Sequence, residues 1–199
     1  MMEFINILYI DDSFQPQLSH YLASKYSNKE LGFTYNELKF TADITLVELL
    51  NNSMISNANI IILDSRLFQN DIVGEEKFNG EEVKTILQKY LPYIEILIIT
   101  QNDGVDGYDF IKKFKSSRTQ TNHFEYYDEY LKNKIEDAIK KIKAYRFVFS
   151  KIATSGRFEE SIINKLKDSI DGILAYDELN KSDIDALIKA FKELESKYD

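Results

Sequence analysis

Three short apolar runs constrain the fold of this chain more than any other feature of its sequence. Residues 4–10, 59–63 and 94–99 consist mainly of Ile and Leu. Runs of this length are typical of buried strands, whereas a buried helix is usually longer. Strands that are apolar on both faces belong to parallel sheets covered by helices on both sides. The three runs therefore predict an α/β fold with a parallel sheet at its centre.

Weaker strands and amphipathic helices are predicted around these runs. Apolar side chains recur at helical spacing in residues 17–26, 42–51 and 80–90. The remaining predicted elements are a strand at residues 33–40, a short helix at 108–114, a strand at 123–127 and a long helix at 132–149. Alternation of this kind predicts a five-stranded parallel sheet with helices on both faces.

The pattern changes after Phe149, where no further strand is predicted. Apolar residues recur at helical spacing in residues 158–173 and 182–194. We therefore expect two parts, an α/β domain over residues 1–145 and a small all-α module over residues 146–199. A short helical pair buries little apolar surface by itself. The module is thus expected to serve interaction or dimerisation, by docking on the domain or on a second chain.

Composition excludes several classes of site. The chain has no Cys, so disulfides, Cys-ligated metals and a Cys nucleophile are excluded. Its two histidines, His20 and His123, are too few for a His-rich metal site, and both are expected to be structural. No apolar run approaches the roughly 20 residues of a membrane span, and no basic leader precedes an apolar stretch at the N-terminus. A cytoplasmic location is the resulting expectation.

The charge distribution argues against nucleic-acid binding. The formal net charge is −8, whereas strong nucleic-acid binding usually leaves a basic footprint. Residues 132–151 are a basic exception, with seven Lys or Arg against two Asp or Glu, which we interpret as a solvated helix face. Residues 151–199 hold 8 basic and 11 acidic residues. No DNA-binding output is expected from this distribution.

Polar residues follow the strong strands directly. Asp11 and Asp12 come after the first run, Asp64 after the second, and Thr100 after the third. The carboxyl ends of parallel strands meet at one edge of the sheet, so these side chains are expected to share a crevice. Carboxylates that close together need a proton or a cation between them. Oxygen ligands favour a hard cation, and Mg²⁺ is the first expectation.

Four segments carry a resemblance to a known family. They are ILYIDDS at residues 7–13, IIILDS at 60–65, Gly80 at the start of a helix, and ILIIT at 96–100. In order and spacing they resemble the receiver domains of two-component response regulators, over about residues 1–143. The resemblance implies a flavodoxin-like, receiver-like fold and a signalling protein rather than an enzyme.

The resemblance also implies roles for individual residues. Asp64 matches the aspartate that accepts a phosphoryl group, and Thr100 matches the switch hydroxyl. Asp11 and Asp12 match the acidic pair that holds Mg²⁺ together with Asp64, and Arg66 matches the position whose backbone carbonyl is a metal ligand. The implied partner is a sensor histidine kinase or a phosphotransfer protein, and a homodimer through the C-terminal helices is a further expectation.

Two departures from the family pattern stand out. The family has a lysine at the end of the fifth strand, usually followed by proline. The predicted fifth strand, residues 123–127, has neither, and the lysine nearest to it is Lys132. The second departure is residues 68–78, an apparent insertion after Asp64 that carries the acids Asp71, Glu75 and Glu76.

These departures keep a second interpretation open, a pseudo-receiver that binds proteins without phosphotransfer. A third interpretation, a metal-dependent phosphohydrolase, is disfavoured. Such enzymes need a second acid two residues after the nucleophile, and those places hold Ser13 and Arg66. The pair Tyr126 and Tyr127 is expected to pack in the core or an interface rather than to act as a switch.

Overall fold

The computed structural model describes residues 4–41, 44–67, 79–101, 109–117 and 121–170. Its strands are β1 (Ile5–Asp11), β2 (Phe33–Lys39), β3 (Ile60–Asp64), β4 (Glu95–Thr100) and β5 (Phe110–Lys112). They form one five-stranded sheet in the order β2-β1-β3-β4-β5, and every neighbouring pair is parallel. This is the strand order of flavodoxin-like folds. The predicted five-stranded parallel sheet is confirmed.

Helices cover both faces of the sheet. They are α1 (Pro16–Tyr26), α2 (Leu46–Leu50), α3 (Ser53–Ser56), α4 (Gly80–Tyr90), α5 (His123–Tyr130), α6 (Lys132–Thr154) and α7 (Glu160–Ile170). Alternate residues of β1 point to opposite faces, so Ile7 and Tyr9 pack with α1, α5 and α6. Leu8 and Ile10 pack with α2, α3 and α4 on the other side. The chain therefore has the two-sided core that the apolar runs predicted.

The predicted fifth strand is wrong. Residues 123–127 lie in α5, which begins where the Asn122 side chain accepts a hydrogen bond from the Phe124 amide. The predicted helix at residues 108–114 is also wrong, because residues 110–112 form β5, which pairs with β4. Both errors have one cause. A three-residue edge strand shows no readable periodicity, whereas an aromatic helix segment has the composition of a strand.

The long helix α6 crosses the predicted domain boundary. It runs without a break from Lys132 to Thr154 and packs on the sheet through Ile135, Ala138 and Ile142. The division at residues 145 and 146 remains a prediction. The helical C-terminal region is present in α6 and α7, whereas the predicted helix at 182–194 lies outside the described residues. Within the described part of the chain, no helix has the length and apolarity to cross a membrane.

Candidate functional site

Three carboxylates meet at the carboxyl edge of the sheet, as the sequence predicted. Asp11 ends β1 and Asp64 ends β3, and these two strands are parallel neighbours. Carboxylate oxygens of Asp11, Asp12 and Asp64 lie within 4.8 Å of one another. Asp11 and Asp64 are buried, and Asp12 is partly exposed. Thr100 ends the adjacent strand β4 and is buried there.

A lysine that the sequence analysis missed lies among these carboxylates. The Lys113 ammonium lies 2.7 Å from Asp11 Oδ2 and 2.9 Å from Asp64 Oδ1. Its side chain is only 4% exposed. Lys113 directly follows β5, and its backbone amide donates to the Thr100 carbonyl oxygen at 2.7 Å. The conclusion that the fifth strand lacks a lysine is therefore wrong, because it rested on a strand placed at residues 123–127.

Asp11 is the most fully hydrogen-bonded member of the cluster. Its Oδ2 accepts from Lys113 and from the hydroxyl of Tyr9, a buried residue two positions earlier on β1. Its Oδ1 accepts from the Ser13 amide at 2.9 Å. Sequence reasoning missed Tyr9 because an aromatic residue within an apolar run has the composition of ordinary core. These contacts fix Asp11 more tightly than the partly exposed Asp12.

Burial and mutual repulsion shape the ionisation of the site. Burial raises the pKa of Asp64, and Lys113 opposes that rise without cancelling it. Burial also raises the pKa of Asp12, and the neighbouring Asp11 adds to the effect. Burial by itself would lower the pKa of Lys113, but the carboxylates of Asp64 and Asp11 outweigh it and raise that pKa. Lys113 therefore stays charged, and this one ammonium faces three carboxyl groups.

The donor set fits a hard divalent cation. All three side chains offer carboxylate oxygens, the ligands that Mg²⁺ prefers, and negative charge remains in excess after Lys113 is counted. The Asp64 Oδ2 atom accepts from the Arg66 amide at 3.2 Å, so the chain turns back toward the carboxylate directly after β3. The predicted role of the Arg66 backbone carbonyl as a metal ligand stays a prediction.

The start of α4 packs tightly against the end of β3. The Gly80 amide donates to the Ser65 carbonyl oxygen at 3.0 Å, and the Ser65 hydroxyl donates to Glu81 Oε1 at 2.7 Å. A Cβ atom at position 80 would lie 2.3 Å from the Asp64 carbonyl oxygen. Glycine is therefore required by this close approach. The apparent insertion at 68–78 lies outside the described residues.

The other residues considered from sequence lie on the face covered by α1, α5 and α6. Tyr127 is buried in the core, and Tyr126 packs against it at a ring-centroid distance of 5.3 Å. His20 on α1 and His123 on α5 are in contact, with 3.2 Å between Nδ1 of the first and Nε2 of the second. The sequence offered no sign that its two histidines would meet.

Comparison with known proteins gives structural neighbours only. No protein-family model matches the chain, and no curated protein matches it. Solved structures of similar fold include the RcsB response regulator of Salmonella typhimurium, 16% identical, with 84% of this chain and 89% of that chain covered and a TM-score of 0.37. A complex of two RcsB dimers with two parallel DNAs is 14% identical, with 84% and 90% covered and a TM-score of 0.38. The receiver-like fold of this chain itself rests on its strand order.

The neighbours overturn one expectation. Several of these RcsB structures were solved with DNA bound. These structures contradict the expectation that a chain of this fold has no DNA-binding output, and we withdraw that expectation. It relied on charges summed over long segments, whereas binding depends on the potential at one face. All seven Lys and Arg residues of the basic stretch 132–151 lie in α6.

Proposed function

We propose that this chain is a receiver-like signalling protein that accepts a phosphoryl group on Asp64 in a Mg²⁺-dependent reaction. The observation that carries the proposal is the Lys113 ammonium, which lies within 3 Å of carboxylate oxygens of both Asp11 and Asp64 at the carboxyl edge of the sheet. A buried ammonium beside the acceptor carboxylate suits phosphoryl transfer, because the lysine can pair with the phosphoryl oxygens as they arrive.

Each residue has a defined part in this proposal. A carboxylate oxygen of Asp64 attacks phosphorus, the donor leaves with the electron pair of the broken bond, and an acyl phosphate forms on Asp64. Lys113 pairs with one phosphoryl oxygen, and the Thr100 hydroxyl donates a hydrogen bond to another. Asp11 and Asp12 would hold Mg²⁺ together with Asp64 and the Arg66 carbonyl. When bound, Mg²⁺ neutralises charge on the transferring group.

The pseudo-receiver remains the alternative function, with one of its two supporting observations removed. It had two supports, the missing lysine and the insertion at residues 68–78. Lys113 removes the first support. In this alternative the acidic cluster is retained but no phosphoryl group is transferred, and replacing Asp64 by Asn leaves partner binding unchanged.

Incubation with acetyl phosphate and Mg²⁺ tests the proposal, with intact-protein mass as the readout. We expect one added phosphoryl group that hydroxylamine removes, because acyl phosphates react with it. The label should be absent in Asp64→Asn and in samples with EDTA. Asp137→Asn is the matched control, since Asp137 is an exposed carboxylate on α6 whose partner is Lys140. An unlabelled wild-type chain, or a label that persists in Asp64→Asn, contradicts the proposal.

A further inference from the structure

One residue beside the site, Gln15, joins three parts of the fold. Gln15 lies at the N-cap of α1, and its backbone amide donates to the Tyr9 hydroxyl oxygen at 3.4 Å. Its Nε2 donates to the Phe114 carbonyl oxygen at 2.7 Å. Its Oε1 accepts from the Tyr127 hydroxyl at 2.6 Å. Gln15 thus links β1, the residue that follows Lys113, and α5.

Tyr127 completes this network from α5. Its hydroxyl oxygen accepts from the Phe114 amide at 3.1 Å while its proton goes to Gln15. Burial raises the pKa of Tyr127, which keeps that proton in place. Both backbone polar groups of Phe114 are therefore bound by side chains, the carbonyl oxygen by Gln15 and the amide by Tyr127. The Tyr126 hydroxyl donates to the Lys112 carbonyl oxygen at 3.0 Å, so the chain is held on both sides of Lys113.

The residue after the lysine explains why such a network is needed. In the family that the sequence resembles, proline usually follows the lysine, whereas Phe114 follows Lys113 in this chain. A proline fixes its own φ and has no amide to satisfy. Phe114 is buried and has a backbone amide that needs a hydrogen-bond acceptor. The Tyr127 hydroxyl oxygen is that acceptor. The network supplies, through hydrogen bonds, a constraint on the backbone that proline would supply covalently.

We propose that Gln15 and Tyr127 are positioning residues for Lys113, and that they set its ammonium between Asp11 and Asp64 by holding the backbone of Phe114. The role in phosphoryl transfer rests on the function proposed above, but the placement of Lys113 can be measured without it. Lysine has a long flexible stem, so the position of its ammonium depends on where the backbone is anchored. Misplacement of a catalytic group by about 1 Å can lower a rate by about 100-fold.

The placement is tested by NMR of the Lys113 ammonium, whose protons exchange slowly with water only while they are buried and paired. Lys113→Met assigns the signal. In Tyr127→Phe we expect exchange to quicken by roughly five- to a hundredfold, the factor that corresponds to the loss of both hydrogen bonds of the hydroxyl, from Phe114 and to Gln15. Gln15→Leu, a change at a partly buried position, should act in the same direction.

Tyr21→Phe is the matched control. Tyr21 is also fully buried, its ring lies 5.3 Å from that of Tyr127, and its hydroxyl donates to Asp128 instead of to the chain near Lys113. It should leave the Lys113 signal unchanged. The proposal is overturned if Tyr127→Phe and Gln15→Leu are folded and exchange Lys113 protons at the wild-type rate, or if Tyr21→Phe quickens exchange equally.

A second measurement separates this proposal from the proposed function. Tyr127→Phe should slow labelling by acetyl phosphate in the wild-type background and should have no further effect in Lys113→Met, because it acts through that lysine. An equal slowing in both backgrounds contradicts the positioning role. A wild-type chain that is never labelled contradicts the proposed function and leaves the exchange result as the test of the positioning role.

Discussion

At the scale of single residues, the site is built from groups that lower the stability of the fold. Asp12 and Asp64 both have raised pKa values because burial and neighbouring charge disfavour their ionised forms. An acid with a raised pKa contributes stability below its unfolded pKa and loses that contribution as the pH rises through its folded pKa. At neutral pH, therefore, the carboxylates oppose folding unless a cation is bound. Such a cost is typical of a site kept for its chemistry.

Replacing Asp12 should expose this conflict. In metal-free buffer, Asp12→Asn is expected to raise the urea midpoint of unfolding, since it removes a repelled negative charge. Added Mg²⁺ should reverse the order, because binding to the folded state stabilises the wild type by about 2.7 kcal/mol at a concentration 100 times the dissociation constant. The variant should gain much less. A midpoint in Asp12→Asn at or below that of the wild type without Mg²⁺ contradicts the account.

Gly80 gives a steric prediction at the same scale. An added Cβ would lie 2.3 Å from the Asp64 carbonyl oxygen and 2.9 Å from Ser65 Cα, and both are backbone atoms. Gly80→Ala should therefore lower the free energy of unfolding by about 1–3 kcal/mol, the usual range for overpacking. Chemical denaturation measures it. The control is Gln88→Ala, a change at an exposed position of the same helix. Glu82→Ala would not serve, because Glu82 belongs to the capping box of α4. Equal stability of Gly80→Ala and the wild type would refute the close packing.

At the scale of elements, the long buried strands could be predicted and the short edge strand could not. β1, β3 and β4 carry Ile and Leu on both faces, so their ends could be predicted from the sequence. Asp11 and Asp64 lie at two of these ends, and their positions could therefore be predicted as well. β5 has three residues, of which only Ile111 is buried, so its pattern cannot be distinguished from a loop or a helix turn. Because β5 was not predicted, the role of Lys113 was not predicted either. The pair Lys112-Lys113 after Phe110 and Ile111 was the available signal.

The contact between α1 and α5 should make stability depend on pH. Burial and the neighbouring His20 lower the pKa of His123. A depressed pKa means that the unfolded chain binds the proton more readily, so stability is full above about pH 6.5 and is lost as the pH falls. We expect the wild-type urea midpoint to fall relative to that of His123→Gln between pH 7.5 and 5.5, since the opposite effect of Asp12 and Asp64 is common to both proteins. A midpoint that shifts equally in both proteins contradicts this role of the histidine pair.

At the scale of the whole molecule, the parallel sheet and the position of the acidic cluster could be predicted from the sequence, and the supporting network could not. Parallel strands in this order bring their carboxyl ends to one edge, so three acids spread over 54 positions could be predicted to meet. The contacts of Gln15 with Phe114 and Tyr127 join positions about 100 residues apart. No local pattern encodes them, because each partner has an ordinary composition for its own element.

The most direct test of the central claim is a crystal structure of the chain with Mg²⁺ and beryllium fluoride, a mimic of the phosphoryl group. We expect beryllium on an Asp64 carboxylate oxygen, Mg²⁺ against Asp11, Asp12 and Asp64, and the Lys113 ammonium on a fluoride. Two results would contradict the proposed function. One is beryllium fluoride bound to another acid. The other is an Asp64 that binds no beryllium fluoride at saturating concentration and stays paired with Lys113.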